Sequence, residues 1–555
     1  MHLFENNESY SKMTTFQKWR ASHEPNGPPV LKEAFITTEE FPVTANPSLK
    51  ECFPSLLSST PMYCKLVKSP SDARHIPKPL HIGCVLSGGQ ASGGHNVICG
   101  IYSYIKKVHP TSQLFGFIGG PEGIYKGRYK ELKEETVFFY KNRGGFDMIG
   151  SGRHKIESDE NKKASLEHCQ ALKLDGLVVI GGDDSNTNAC LLAEYFAKNN
   201  CTTKVIGCPK TIDGDLKNEA VEVSFGYDTA CKTYSELIGN IAMDIRSTKK
   251  YYHFIRLMGR SASHITLECA LLTRPTGCFI SEEIAAKKLT LKQIVDYLTD
   301  IIIKRAADGR NYGLFLVPEG LIEFIDEFNV LISEINDILA KEIDDETKKD
   351  VRAVEKAVVS HLSDTVRDAF VRLPQSTREQ LLLDRDPHGN VQVAKIETEK
   401  LLVEMVSANL AEQSKAGTYT GTFTTQTHYF GYEGRCAFPT NFDCDYCFGL
   451  GQTAACLIEN GQTGMMSTIK NLAKPRDQWV AGGYPLVSMI NMEKRHGKNV
   501  PVITKALVDL NGSLYKTFES ARESWAINDF FCQVGPIQFA MPNMDDPPFL
   551  CREID

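Results

Sequence analysis

The chain has 555 residues, of which 42% are hydrophobic and 24% are charged, and its formal net charge is -7. Because that length exceeds what one hydrophobic core supports, we expect two or more domains, and the acidic balance argues against nucleic-acid and acidic-membrane partners. No apolar run reaches the roughly 18 residues that a membrane span needs, and the polar N-terminus lacks the apolar core of a secretory signal. The 17 cysteines therefore predict buried, reduced thiols in a cytoplasmic protein.

Strands alternate with helices over most of the chain. The stretch HIGCVLSGGQASGGHNVICGIYSYI, residues 81–105, combines a short apolar run, a glycine-rich turn and apolar residues at helical spacing. GLVVIGG at 176–182 begins a second such unit, and apolar runs in TKVIGCPKTID, YYHFIRLMGR and NYGLFLVPEG end in further loops. This alternation predicts an α/β fold with mostly parallel sheets, in which ligands bind at the carboxyl ends of the strands.

The domain organisation follows from where this alternation starts, stops and resumes. Residues 1–75 contain weakly periodic stretches with prolines and are interpreted as an N-terminal extension. Residues 321–415 carry amphipathic helical patterns and are interpreted as a helical insertion without chemistry of its own. The remaining predicted segments are a first α/β domain at 76–245 completed by 430–510, a second α/β domain at 246–429 that contains the insertion, and a C-terminal segment at 511–555.

Three familiar signatures are absent or rejected. The chain has no Walker phosphate loop. GLGQTA, residues 449–454, fits a dinucleotide-binding pattern, but no clean strand precedes it and no acidic residue follows at the expected distance. Cys436, Cys444 and Cys447 include a CxxC pair, yet neither a second pair nor a histidine pair accompanies them, so we expect no zinc or redox site there.

Residues suited to phosphate follow the first predicted strands. Gly88 and Gly89 allow backbone N–H groups to approach an anion closely, although such a turn can also be purely structural. One aspartate at a helix start is an ordinary cap, but the adjacent Asp183 and Asp184 repel each other and would tolerate a cation. Since Mg²⁺ prefers one or two carboxylates with phosphate oxygens and water, either aspartate could hold a metal that bridges to phosphates.

The loop CPKTIDGDLKN, residues 208–218, supplies complementary charges. Lys210 lies three residues before Asp213, and Asp215 follows two residues later. A lysine beside an aspartate at a strand end can clamp phosphate while the carboxylate takes a proton from a hydroxyl nucleophile. A surface salt bridge within a turn is the alternative interpretation.

Further strand ends carry groups that suit a sugar phosphate. Arg260 in LMGRSASH, and Arg435 with Tyr432 in HYFGYEGRC, offer guanidinium groups that match phosphate geometry. Glu319 in VPEG is suited to accept hydrogen bonds from sugar hydroxyls. Together these loops describe a sugar phosphate held opposite a metal-bound phosphoryl donor.

These loops, in this order, resemble the phosphofructokinase family and, within it, the long pyrophosphate-dependent type. The resemblance extends from about His81 to beyond Gln452 and is carried by GGDDSNT, PKTIDGD, MGR, PEG and GYEGR. It implies two Rossmann-like domains with the active site in the cleft between them. It also implies reversible phosphoryl transfer from pyrophosphate to the 1-hydroxyl of fructose 6-phosphate with Mg²⁺ as cofactor, giving fructose 1,6-bisphosphate and phosphate.

The resemblance assigns donor-side and catalytic roles. The Gly88–Gly89 turn would bind pyrophosphate, and Asp183 would occupy the family's magnesium position. Asp213 would be the general base that deprotonates the sugar 1-hydroxyl, with Thr211 and Ile212 in the same substrate loop.

The resemblance also assigns a sugar-phosphate site and an oligomer. The residues of this chain expected to hold fructose 6-phosphate are Met258, Gly259, Arg260, Glu319, Tyr432 and Arg435. Lys250 and Tyr251 fall where a neighbouring subunit completes this site in the family, so a homodimer or larger homo-oligomer is implied.

On the donor side, Arg153 is a further candidate for a positive charge near the phosphoryl donor.

Two residues bear on the choice of donor. ATP-dependent members carry glycine where this chain has Asp184, so its carboxylate would exclude the nucleotide's α-phosphate by volume and charge. Lys210 likewise replaces a glycine of ATP users and would pair with pyrophosphate and stabilise charge on the leaving phosphate. Of the two adjacent carboxylates, that of Asp183 would therefore bind the metal and that of Asp184 would exclude ATP.

Ser92 stands where proline is common in the family and is expected to soften the glycine turn.

Three alternatives are disfavoured. An ATP-dependent phosphofructokinase conflicts with Asp184 and Lys210, and a catalytically silent regulatory subunit should have lost the aspartates that are present here as Asp183 and Asp213. A nucleotide-binding structural protein would need a recognisable nucleotide-binding motif, and the sequence offers none that fits its context.

Overall fold

The computed structural model describes residues 13–70, 78–341, 350–383, 395–495, 498–535 and 548–551. Within these ranges the chain forms two compact units. The first unit contains the described residues up to Ala230, then Tyr432–Ala506 and 548–551, whereas the second contains the described residues of Cys231–Gly431 and 507–535. Each unit is therefore assembled from segments that are distant in sequence.

The described residues contain fifteen strands. In chain order they are β1 (Ile36–Pro42), β2 (Met62–Lys68), β3 (His81–Leu86), β4 (Gln113–Phe117), β5 (Tyr129–Glu131), β6 (Gly176–Gly181), β7 (Lys204–Pro209), β8 (Tyr252–Leu257), β9 (Gly277–Cys278), β10 (Gly313–Pro318), β11 (Thr425–Phe430), β12 (Met465–Lys470), β13 (Val480–Pro485), β14 (Ile490–Arg495) and β15 (Lys498–Ile503).

The same ranges contain eighteen α-helices. They are α1 (Thr15–Ala21), α2 (Gly94–Val108), α3 (Glu122–Tyr125), α4 (Glu134–Tyr140), α5 (Asp159–Ala171), α6 (Asp183–Lys198), α7 (Tyr227–Thr248), α8 (His264–Thr273), α9 (Ser281–Ala286), α10 (Leu291–Ala307), α11 (Asp326–Lys341), α12 (Val351–His361), α13 (Asp364–Arg372), α14 (Gln375–Leu383), α15 (Thr398–Lys415), α16 (Tyr432–Arg435), α17 (Asn441–Glu459) and α18 (Ser513–Ile527).

A nine-stranded sheet forms the centre of the first unit, in the order β1-β2-β13-β12-β7-β6-β3-β4-β5. The strands from β12 to β4 run parallel, whereas the outer strands pair antiparallel. Every residue of β6 is buried, as expected for a parallel strand covered on both faces. Because β2 pairs with β13, the N-terminal region extends this sheet and forms part of the first unit.

The parallel centre of this sheet brings three loops together. Strand β6 pairs with β3 on one side and with β7 on the other, so the carboxyl ends of all three strands meet at one edge. The segments that follow them begin at Ser87, Gly182 and Lys210. The charged and glycine-rich loops predicted from the sequence therefore lie side by side.

The second unit is built on a four-stranded parallel sheet in the order β11-β8-β10-β9. Tyr252, Phe254 and Phe315 of this sheet belong to one buried cluster that also includes Leu298 of α10. The loops after β8 and β10 begin at Met258 and Glu319 and lie at the same edge of the sheet.

Helices α11 to α15 lie in the chain between β10 and β11 and form the helical insertion. On α11, the buried side chains Phe328, Leu331, Ile335 and Ile338 recur at helical spacing and join the same buried cluster as the sheet. Helices thus fill the described part of the predicted insertion, and its residues 342–349 and 384–394 lie outside the described residues.

The α/β fold with mostly parallel sheets predicted from the sequence is confirmed. GLGQTA lies inside α17 and therefore does not form a turn between a strand and a helix. Of the helices that the structure describes, none is both long enough and apolar enough to cross a membrane.

Candidate active site

The glycine turn after β3 is hydrogen-bonded to β6 and to the segment at Ser151 and Gly152. The backbone N–H of Ser87 donates to the carbonyl of Ile180 at 2.8 Å, and the N–H of Gly88 donates to the carbonyl of Gly152 at 2.9 Å. The hydroxyl of Ser151 donates to the carbonyl of Gly88 at 2.7 Å. Gly88 has a φ of +86°, which side chains rarely adopt, so the turn depends on glycine at this position.

Three cationic side chains surround the turn. A Cβ atom built on Gly88 would lie 3.1 Å from Nζ of Lys210. One built on Gly89 would lie 3.3 Å from Nη1 of Arg435 and 3.4 Å from Nη2 of Arg153. The missing side chains therefore leave a small space lined by positive charge, which suits an anion such as phosphate.

The two adjacent aspartates begin α6 at the edge of this space. Both lie in the first turn of the helix, where a carboxylate complements the positive end of the helix dipole. Asp183 is half-buried, whereas Asp184 is exposed and its Oδ1 lies 3.5 Å from Nζ of Lys155. The hydroxyl of Ser185 donates to that of Ser87 at 2.8 Å, which joins the helix start to the glycine turn.

The loop after β7 carries the predicted base. Its backbone starts in register with the neighbouring strand, because the N–H of Lys210 donates to the carbonyl of Gly181 at 3.0 Å. The N–H of Asp213 donates to Oγ1 of Thr211 at 3.1 Å, and Ile212 is buried. Burial lowers the pKa of Lys210 to about 8, although the carboxylate of Asp213 acts in the opposite direction.

A residue that the sequence interpretation missed completes the charge pattern. Lys505 places Nζ 3.6 Å from Oδ2 of Asp183 and 3.5 Å from Oδ2 of Asp215. Asp215 is 4% exposed, and burial and then the nearby Asp183 raise its pKa while Lys505 lowers it. Lys505 belongs to the stretch PVITKALVDL, which carries no motif, so no local signal marks it as a site residue.

In the second unit the structure brings together the residues that follow β8 and β10. The N–H of Met258 donates to the carbonyl of Phe430 at 3.0 Å. The N–H of Gly259 donates to Oε2 of Glu319 at 3.1 Å. Arg260 is exposed, which leaves its guanidinium accessible to a ligand in solution.

Lys250 and Tyr251 lie at the other end of β8. They precede the strand, whereas Met258 and Gly259 follow it. A six-residue strand is about 20 Å long, so these two groups are not brought together within one unit.

The chain as a whole can be compared with known proteins. The family described as phosphofructokinase matches residues 81–365. The chain belongs to the phosphofructokinase family. A protein of Arabidopsis thaliana named pyrophosphate–fructose 6-phosphate 1-phosphotransferase subunit beta 2 is 54% identical over 497 residues, which cover 90% of this chain and 86% of that protein. A protein of Treponema pallidum (strain Nichols) named pyrophosphate–fructose 6-phosphate 1-phosphotransferase is 52% identical over 486 residues, which cover 87% of this chain and 84% of that protein.

A solved structure of a named phosphofructokinase has a similar fold. The crystal structure of a pyrophosphate-dependent phosphofructokinase from Marinobacter aquaeolei matches 81% of this chain and 93% of that chain with a TM-score of 0.52. The two sequences are 15% identical, so this likeness concerns the fold alone.

Ser92, which is expected to soften the glycine turn, also makes a specific contact. Its side chain is fully buried, and its hydroxyl donates to the carbonyl of Ala437 at 2.6 Å. The bond ties the glycine turn to the segment that follows Arg435, whose guanidinium carbon lies 4.6 Å from the ring centre of Tyr432. The hydroxyl of Ser92 thus holds this turn against that segment by a direct hydrogen bond.

Proposed function

We propose that this phosphofructokinase transfers a phosphoryl group from pyrophosphate to the 1-hydroxyl of fructose 6-phosphate and gives fructose 1,6-bisphosphate and phosphate. The reaction is reversible. Relatives that are 54% and 52% identical over most of the chain carry the name of this activity, which supports it over an ATP-dependent reaction.

Two positions support pyrophosphate as the donor. Lys210 lies beside the glycine turn, and Asp184 lies at the start of α6. The buried ammonium of Lys210 lies beside Gly88, where it would pair with a terminal phosphate of pyrophosphate. The carboxylate of Asp184 extends from the first turn of α6, where it would repel the additional phosphate of a nucleotide. Pyrophosphate, with only two phosphate groups, therefore fits better than the longer polyphosphate chain of ATP.

Asp213 acts as the general base for the acceptor. Its carboxylate takes the proton of the 1-hydroxyl as the sugar oxygen forms a bond to one phosphorus of pyrophosphate. The bond between that phosphorus and the bridging oxygen breaks, and the bridging oxygen leaves with the second phosphate. Lys210 stabilises the charge that develops on the leaving phosphate, since a fixed cation at a buried position needs little reorganisation.

Arg153 and Arg435 hold the phosphoryl group that is transferred. Both guanidinium groups lie beside Gly89, where they would neutralise charge on the non-bridging oxygens. This role for Arg435 supplements the sugar-phosphate contact expected from the family resemblance.

The second unit binds the sugar phosphate. The exposed guanidinium of Arg260 suits the 6-phosphate, and the carboxylate of Glu319 suits a sugar hydroxyl. Met258 and Gly259 belong to this site, since both follow β8 directly and the N–H of Gly259 orients Glu319.

Mg²⁺ is the proposed cofactor, and the residues present fit it. The available ligands are the carboxylate oxygens of Asp183 and Asp215, which are hard donors of the kind that Mg²⁺ prefers. Asp183 would hold the ion, with pyrophosphate oxygens and water as the other ligands. When bound, the ion supplies charge neutralisation for the phosphate oxygens.

We also propose a homodimer or larger homo-oligomer in the cytoplasm. Lys250 and Tyr251 lie at the end of β8 remote from Met258, which is consistent with a role in binding sugar phosphate at the site of a neighbouring subunit. All 17 cysteines lie in described residues as free thiols, and most are buried, which suits a reducing compartment.

The test measures fructose 1,6-bisphosphate formed from fructose 6-phosphate and Mg²⁺, with either pyrophosphate or ATP as the only donor. We expect product with pyrophosphate alone, and pyrophosphate formation when the reaction is run from fructose 1,6-bisphosphate and phosphate. The Asp213→Asn variant, purified in parallel, controls for contaminating activity. Product with ATP alone would contradict the donor assignment, and no product with either donor would favour the regulatory subunit.

A further inference from the structure

Lys505 reaches the donor site from a segment that the activity does not otherwise use. It follows the antiparallel hairpin of β14 and β15. The backbone on either side of it is fixed, because the N–H of Ile503 donates to Oγ1 of Thr187 at 3.3 Å and the N–H of Ala506 donates to the carbonyl of Asp215 at 2.8 Å. The lysine is thereby held beside the start of α6 and the loop after β7.

The ammonium of Lys505 lies between two carboxylates. Its Nζ is 3.6 Å from Oδ2 of Asp183 and 3.5 Å from Oδ2 of Asp215, and its side chain is 40% exposed. At these distances the ammonium of Lys505 pairs with the carboxylates on which the proposed metal site depends.

The same carboxylates also interact with Lys210. Burial lowers the pKa of Lys210, whereas Asp213, Asp183 and Asp215 act to raise it. Lys210 is thus a second positive charge in the neighbourhood of these carboxylates. A divalent cation at Asp183 would place its charge directly beside the ammonium of Lys505, and the two cations would repel each other.

We propose that Lys505 is a resident counter-ion that competes with free divalent metal for Asp183. This inference rests on the proposed role of Asp183 as the metal ligand. A free metal ion must displace the ammonium without compensation, whereas a metal that arrives with pyrophosphate brings negative charge to which the displaced ammonium can bind. Lys505 thereby makes metal binding depend on the phosphoryl donor.

The test measures binding of Mn²⁺ to the full-length chain after chelator treatment and without pyrophosphate, from the electron paramagnetic resonance signal of free Mn²⁺. We expect Lys505→Met and Lys505→Gln to bind Mn²⁺ about tenfold more tightly than the unaltered chain, because a half-exposed cation with two carboxylate partners is removed. The gain should disappear when Asp183→Asn is added to Lys505→Met. Circular dichroism establishes that each variant is folded, and the second neutral variant guards against misfolding of the first.

The matched control is Lys155→Met, which removes the same charge from the same neighbourhood. Among the described residues Lys155 pairs with Glu157 and, at 3.5 Å, with Asp184, and not with Asp183. We expect this variant to change Mn²⁺ affinity by less than threefold. Unchanged affinity in both Lys505 variants, an equal gain in Lys155→Met, or a gain that persists with Asp183→Asn would each overturn the proposal.

These results are separable from the enzymatic function. If the unaltered chain forms no fructose 1,6-bisphosphate from pyrophosphate, the proposed function fails, whereas the Mn²⁺ titration still decides whether Lys505 and a metal compete for Asp183. If the chain is active but the Lys505 variants bind Mn²⁺ no more tightly than the unaltered chain, the counter-ion proposal alone fails.

Discussion

The carboxylate of Glu319 accepts a hydrogen bond from the backbone N–H of Gly259 at 3.1 Å. The two residues follow the adjacent parallel strands β10 and β8, and Gly259 has a φ of +127°, a conformation that favours glycine. One carboxylate oxygen is therefore oriented by the backbone before any sugar binds. An acceptor that is already oriented loses little conformational freedom on binding, which favours affinity for a hydroxyl ligand.

Glu319→Gln tests this orientation. The amide keeps the shape of the side chain but lacks the charge that strengthens its hydrogen bonds, so we expect the KM for fructose 6-phosphate to rise about tenfold with kcat changed less than threefold. Initial rates at varied fructose 6-phosphate measure both constants. Glu323→Gln, an exposed residue four positions later, is the control. An unchanged KM would remove Glu319 from the sugar site.

Asp213→Asn or Asp213→Ser tests the general base. Loss of the proton acceptor should lower kcat by about 10²–10⁴-fold, while the Kd for fructose 6-phosphate stays within threefold. Rate assays and isothermal titration calorimetry measure the two quantities separately. Asp477→Asn, at an exposed position of the same unit, should leave both unchanged. Normal turnover in the Asp213 variants would refute the assignment.

Replacement of Asp184 should alter the donor. Asp184→Gly removes volume and charge from the first turn of α6, so we expect weaker use of pyrophosphate and measurable use of ATP. Asp184→Asn keeps the volume and removes only the charge. Comparing kcat/KM for both donors across the two variants separates exclusion by size from exclusion by charge. If both variants retain the original preference, donor choice does not depend on Asp184.

The pKa of Lys210 predicts an alkaline limit to activity. Burial lowers this pKa to about 8, so the lysine is charged below that pH and loses its proton as the pH rises through it. We expect kcat/KM for pyrophosphate to decline tenfold per pH unit above about 8. The guanidinium of Lys210→Arg stays charged, so the kcat/KM of this variant should not show the decline that the unaltered chain shows above about pH 8. This holds whatever the absolute rate of the variant.

The comparison of the two pH profiles contains its own control. Pyrophosphate also titrates in this range, but its titration is common to both proteins and cancels in the ratio of their kcat/KM values. A ratio that does not vary with pH would show that Lys210 does not set the alkaline limit.

Arg20 predicts that the N-terminal region stabilises the first unit. This residue of α1 is 2% exposed, and its guanidinium donates to Oδ1 of Asn441 at 2.8 Å, to the carbonyl of Pro439 at 2.9 Å and to Sγ of Cys444 at 2.9 Å. Arg20→Ala removes three hydrogen bonds to buried acceptors, so we expect the free energy of unfolding to fall by about 2–4 kcal/mol.

Urea denaturation followed by circular dichroism measures the loss in Arg20→Ala. Arg128→Ala is the control, since Arg128 is half-exposed and its ion pair with Glu122 lies at the surface, where such pairs contribute about 0–1 kcal/mol. Equal losses in the two variants would contradict a special role for Arg20.

The loops that carry the chemistry were predictable because each is a local pattern. A buried run of apolar residues that ends in GGDDSNT or PKTIDGD predicts a strand followed by a charged loop, and parallel strands place such loops at one edge. The structure has these loops after β6 and β7, and β6 and β7 are neighbours in the sheet. The fold class and the helical insertion were predicted from the spacing of apolar residues, which is likewise a local property of the sequence.

Contacts between distant segments had no such signal. Lys505 meets Asp183 and Asp215 only because the chain returns to the first unit after leaving the second, and no periodicity in PVITKALVDL records that return. Arg20 likewise meets Asn441 because the N-terminal region packs onto the start of α17. The sequence by itself determined the elements, the loops and their chemical character, because these depend on neighbours in the chain. Which charges face one another was decided by the tertiary structure, because electrostatic interactions depend on distance in space.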